Sequence, residues 1–91
     1  MSIEDDLREV VAACKAKLNA QVDLDEAVAR RERALWRLVH EDGVRKSQVA
    51  PLVWERLRAA GFTDDMIAAA GVSRANVRHA VDRRMWAEGS S

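Results

Sequence analysis

Thr63-Asp64-Asp65-Met66-Ile67-Ala68-Ala69-Ala70-Gly71-Val72-Ser73-Arg74-Ala75-Asn76-Val77-Arg78-His79-Ala80-Val81-Asp82-Arg83-Arg84 reads as a short helix, a tight turn and a longer basic helix. The Thr63 hydroxyl suits the start of the first helix, where free backbone N–H groups need an acceptor. Asp64 and Asp65 follow in the first turn, where the helix dipole favours negative charge. Met66, Ile67 and Ala70 then share an inward face. Gly71 ends this helix, because glycine takes the left-handed backbone conformation without steric cost. Ser73 caps the second helix, expected over roughly residues 74–86. Val72, Val77 and Ala80 wedge that helix against the first and leave its arginines outside.

Upstream, Pro51 suits the first turn of another helix, where its missing N–H matters least. Leu52, Val53, Leu57 and the Trp54 ring supply its apolar contacts. Gly61 ends it and Phe62 packs back over the end. Val44 to Ala50 reads as a connector. Before Gly43, Leu24, Val28, Leu35, Leu38 and Val39 recur at helical spacing, with Trp36 beside them. Asp23 and Glu26 form a capping-box-like start. The run Arg30-Arg31-Glu32-Arg33 reads as a solvated face, because acids interleave with it. His40, near the end of this helix, reads as a capping or dipole partner.

Ile3, Leu7, Val10, Val11, Cys14 and Leu18 mark a first helix over roughly residues 3–20, with Ser2 as its starting cap. Asn19 to Asp23 form a weak break that no Gly or Pro enforces. Two arrangements remain open: an antiparallel hairpin, or one long helix running through residue 23.

The chain has 91 residues, enough for one compact domain with a small core. No apolar run approaches the roughly 18 residues that a membrane span needs. The acidic N-terminus is unlike a secretory signal, so a reducing cytoplasm is the expected location. Cys14 is the only cysteine. It lies in an apolar stripe and reads as a small core residue, and no Cys/His cluster suggests a metal. No Gly-rich phosphate loop and no nucleophile–base–orienter set is present, so neither an enzyme nor a cofactor is expected. Asp64 and Asp65 are better explained as helix-start acids than as a catalytic pair. The net charge is zero. Its distribution is uneven: residues 1–42 hold seven Lys/Arg against ten Asp/Glu, giving −3, and residues 43–91 hold eight against five, giving +3. Local charge, rather than the total, faces a ligand.

The phrase Ala70-Gly71-Val72-Ser73-Arg74, followed by Val77, resembles the helix-turn-helix family of transcriptional regulators. With twelve Arg against three Lys, the chain is also similar to the small Arg/Ala-rich helix-turn-helix proteins of actinobacteria and their phages. It departs from the family at Ile67, where members usually place a small residue. The resemblance implies that the second helix enters the DNA major groove. Its DNA-facing positions fall on Ser73, Arg74, Ala75, Arg78 and His79, with Asn76 nearby. Arg74 and Arg78 suit bidentate contacts with guanine. Asn76 suits adenine or a phosphate, and Ser73 with the helix N-terminus suits a phosphate. Arg83 and Arg84 further along, and Arg45 and Lys46 in the connector, suit the DNA backbone.

The expected fold is therefore all-α: an N-terminal helical hairpin (1–42), then a three-helix C-terminal unit (43–88) containing the helix-turn-helix, then a disordered tail (89–91). The expected function is sequence-specific binding of double-stranded DNA by a phage or bacterial regulator, as a homodimer joined through the N-terminal helices. The rival expectation is a protein-interaction module without DNA binding, which the neutral total charge favours. In that reading Trp36, Trp54 and Trp86 are core or interface anchors, and a protein partner docks on the N-terminal helices.

Overall fold

Apolar stripes at helical spacing draw the chain into helices. The computed structural model describes residues 3–19 and 24–82. Five helices follow in order: α1 (Ile3–Leu18), α2 (Leu24–His40), α3 (Lys46–Ala59), α4 (Asp64–Ala69) and α5 (Arg74–Asp82). The described residues contain no strand. None of their helices is long and apolar enough to cross a membrane.

α1 buries Leu7, Val10, Ala13 and Cys14, and α2 buries Ala27, Ala34, Leu35 and Leu38. The two helices lie against each other and run antiparallel: Glu9 pairs with Arg30 at 2.7 Å, and Asp6 with Arg37 at 3.0 Å. Cys14 sits in the core as expected, and burial pushes its thiol up to about 11, so it stays protonated and inert. The last turn of α2 widens, with the amides of Glu41 and Asp42 both donating to the Arg37 carbonyl at 2.9 Å. The caps expected at Ser2 and Asp23 lie outside the described residues.

The third helix differs from the expected layout. It starts at Lys46, and Pro51 lies inside it. Residues 46–50 are helix, not connector. The cause is burial: Val49, Val53 and Leu57 stand at i, i+4 and i+8, each at most 1% exposed. Removing such side chains from water is worth about 1.5–3 kcal/mol each. That gain outweighs the one backbone bond that Pro51 cannot donate to the Ser47 carbonyl, on an exposed turn.

The ends of α3 and α4 follow the local signals closely. Across Gly61 (φ 99°), the Phe62 amide donates to the Leu57 carbonyl at 3.0 Å, and the Gly61 amide to Arg58 at 3.0 Å. This pairing closes a helix end on a left-handed glycine, and Phe62 is buried over it. Thr63 caps α4 by accepting from the Met66 amide at 3.2 Å. Ser73 caps α5 by accepting from the Asn76 amide at 3.2 Å.

A single core joins all five helices. Leu7 and Val10 from α1 meet Leu35 and Leu38 from α2, Val53 and Leu57 from α3, Ile67 from α4, and Val77, Ala80 and Val81 from α5. The described residues before and after Gly43 thus share one apolar interior. α2 is the element against which both α1 and α5 are packed.

Where α1 begins and α2 ends, two carboxyls meet. Asp6 is wholly buried, and its Oδ1 accepts from Arg37 Nε at 3.0 Å. Its Oδ2 and both oxygens of Asp42 are buried without a hydrogen-bond partner. Burial, and then the facing Asp42 carboxyl, push Asp6 up to about 6 against the pull of Arg37. An acid raised in this way binds its proton more tightly in the folded chain than in the unfolded one. Acidification through its folded pKa therefore favours folding. The melting temperature should accordingly rise between about pH 7 and pH 5, before carboxylates such as Glu9, held low by Arg30, begin to lose their ion pairs. Asp6→Asn should stabilise the protein near neutral pH by on the order of 1–2 kcal/mol and flatten that rise. Thermal melts of both proteins across this range check the expectation, and parallel curves would contradict it.

Candidate nucleic-acid interface

The back of α5 is apolar and its front is not. Val77, Ala80 and Val81 are buried, whereas Arg74, Ala75, Asn76, Arg78 and His79 are exposed. Period 3.6 explains the split, since residues 77, 80, 81 fall on one side and 74, 75, 78 on another. Ser73 is also exposed, so the start of the helix, with its free amides, faces solvent.

α3 lies beside α5 and runs antiparallel to it. Arg74 Cζ stands 5.3 Å from the centre of the Trp54 ring, and Lys46 Nζ is 2.6 Å from Asp82 Oδ1. Trp54 in turn donates its indole N–H to the Val72 carbonyl at 2.8 Å. One tryptophan thus ties α3 to the turn and offers a flat face to the Arg74 guanidinium, a contact worth about 0.5–1 kcal/mol at an exposed site. Arg74 is steadied there without losing its hydrogen-bond donors to an acid. Asn76 donates from Nδ2 to the Gly71 carbonyl at 3.0 Å, which braces the turn and leaves its Oδ1 as an acceptor.

Arg78 is wide open, with its side chain 83% exposed and 3.9 Å from Asp82 Oδ2. A pair at that distance and exposure is heavily screened by solvent, so Arg78 keeps its charge available. Lys46 is more firmly engaged, and its hydrogen bond holds the Asp82 carboxyl below the usual carboxylate range. Arg45 is the exposed residue that precedes α3. The fold thus brings Arg45 and Lys46 to the end of α5 opposite Ser73 and Arg74. Arg83 and Arg84, with Trp86, lie outside the described residues. Among the described residues, no group of acids, histidines and cysteine is arranged to hold a metal ion.

The turn itself is held from beneath by cations of the N-terminal helices. Arg31 Nη1 donates to the Ala70 carbonyl at 2.7 Å, and Lys17 Nζ to the Ala69 carbonyl at 3.1 Å. Both positive groups meet the carbonyl end of α4, where the helix dipole favours them. Arg31 is only 6% exposed, which corrects the solvated-face reading of the 30–33 run at this position, while Arg33 is exposed. Helical spacing puts residue 31 on the stripe of Ala27, Leu35 and Leu38, but no local pattern points to its partner, a carbonyl 39 positions away. His40 behaves similarly: it stacks on Trp36 at 4.5 Å, and its Nε2 lies 2.6 Å from the Val81 carbonyl, so the helix end it serves is that of α5.

Gly71 (φ 75°) is constrained twice. A Cβ added there would stand 2.8 Å from Lys17 Nζ and 2.9 Å from Arg31 Nη1, whereas one added at Gly61 (φ 99°) meets nothing within 4 Å. Gly61→Ala should therefore cost only the backbone penalty of roughly 1–2 kcal/mol. Gly71→Ala should cost more, by at least about 1 kcal/mol, because it also disturbs the buried Arg31 bond. Urea titrations of the two variants check this, and equal losses would show that the cations do not hold the turn. Comparison with protein-family models, with curated proteins and with solved structures finds no match to this chain.

Proposed function

We propose that this protein binds double-stranded DNA in a sequence-specific manner, with α4, the Gly71 turn and α5 acting as a helix-turn-helix. The observation that carries this reading is the exposed front of α5. Arg74, Ala75, Asn76, Arg78 and His79 face solvent on a helix whose back is buried and whose start is capped by Ser73. An α-helix presented in this way fits the major groove with its first turns at the base edges. Arg74 and Arg78 are the base readers, Ser73 and the α5 amides take a phosphate, and Arg45 and Lys46 reach the backbone near the far end of α5. Four cations (Arg45, Lys46, Arg74, Arg78) face one acid (Asp82) along this surface, which supports an anionic partner despite the neutral total. Asp64 and Asp65 are exposed at the start of α4 and keep a duplex away from that end. In this reading the protein is a small regulator that acts as a dimer on two half-sites.

Selection of duplexes from a random pool, followed by titration at several salt concentrations, tests the proposal. The logarithm of the affinity should fall linearly with the logarithm of the salt concentration. Arg78→Ala should cost about 1–3 kcal/mol and relax the preference at one base pair. Asp82→Asn should tighten binding, because it frees Lys46 and removes the one acid from the surface. A wild-type protein that selects no sequence and shows no salt-dependent affinity for duplex DNA would refute the reading.

A further inference from the structure

A second surface lies apart from α4 and α5. Between α1 and α3 runs a groove of about 370 Å³. Its floor is Val11 and Ala12 from α1 with Ala59 and Ala60 at the end of α3. Its rim is Arg8, Lys15 and Arg56, and no residue lining it is acidic. The small alanine side chains leave room for another backbone to approach closely, and the methyl groups offer an apolar bed.

Arg56 already displays the chemistry of the rim. Its two terminal nitrogens hold the Glu4 carboxylate of α1 at 2.5 and 2.6 Å, a two-point grip on a carboxylate. Arg8 and Lys15 are exposed along the α1 side.

We propose that this groove docks an acidic amphipathic helix of a partner protein, with aliphatic side chains on the alanine floor and carboxylates against Arg8 and Lys15. Four features select this occupant. A positive rim calls for negative charge, and an apolar floor calls for aliphatic side chains, which a phosphate backbone lacks. The described residues hold no strand to whose edge an extended peptide could add. A second copy of the chain placed on the groove by two-fold symmetry would set basic rim against basic rim. Residues 83–91 carry Arg83 and Arg84 against the single acid Glu88, so they share the sign of the groove.

The test uses a labelled synthetic peptide with leucines along one helical face and glutamates beside them, followed by fluorescence anisotropy. The full-length protein should bind it. Arg8→Glu with Lys15→Glu should weaken binding by at least about tenfold, a loss of roughly 1.4 kcal/mol. Ala12→Glu, at an exposed helical position on the floor, should do the same while circular dichroism stays unchanged. Several outcomes would overturn the proposal: no binding of the peptide, or equal binding of a lysine version or of polyglutamate. So would a self-associating protein whose dimer is lost with Ala12→Glu. Loss of duplex affinity in the double charge reversal would also overturn it, by making the rim a phosphate contact. None of these variants touches α4 or α5, so failure here is separable from failure of the DNA-binding reading.

Discussion

The presentation of α5 depends on a guanidinium supplied by α2. Arg31, buried beneath the turn, donates to the carbonyl that closes α4 and stands against the bare Cα of Gly71. Removing such a charge from water is costly unless it is hydrogen-bonded, and the dipole at a helix C-terminus supplies the compensating acceptor. The bond therefore does two things at once. It satisfies an orphan carbonyl of α4, and it sets the height of the turn above α2. Because α5 leaves that turn directly, its exposed front is aimed by a residue that never reaches the surface.

The same logic recurs at the other end of α5. The Val81 carbonyl meets the His40 ring, and Asp82 meets Lys46. The nine described residues of α5 form too few internal bonds to be stable alone. Its stability comes from burial of Val77, Ala80 and Val81 on the shared core and from contacts at both ends. With α2 as the common support, the acidic N-terminal segment is structural for the basic C-terminal one.

The charge distribution bears on the two functional classes that the composition left open. A neutral total argues against a nucleic-acid partner only if the charges mix. Here Arg74 and Arg78 stay exposed on the front of α5 and Arg45 before α3, while Lys46 pairs with Asp82. Many of the acids are spent internally: Glu9 on Arg30, Glu4 on Arg56, Asp6 on Arg37. Those pairs hold α1 to α2 and α3, and they take no part in the surface that the arginines of α5 define.

Local chemistry made several features legible in the linear chain. The Thr63 and Ser73 caps, the left-handed glycines at 61 and 71, and the apolar faces of α1, α2 and α5 each depend on residues within a turn or two of one another. Such short-range effects survive in any context, so residue type and spacing alone determined them, together with which side chains α5 could present. Only the tertiary structure decided where α3 begins, since burial of Val49 overrode the usual meaning of Pro51. It alone decided that Arg31 meets the Ala70 carbonyl, that Trp54 steadies Arg74, and that Lys46 sits beside Asp82. Each of those outcomes balances a desolvation cost against a partner distant in sequence, and no local pattern records which partner the fold will bring.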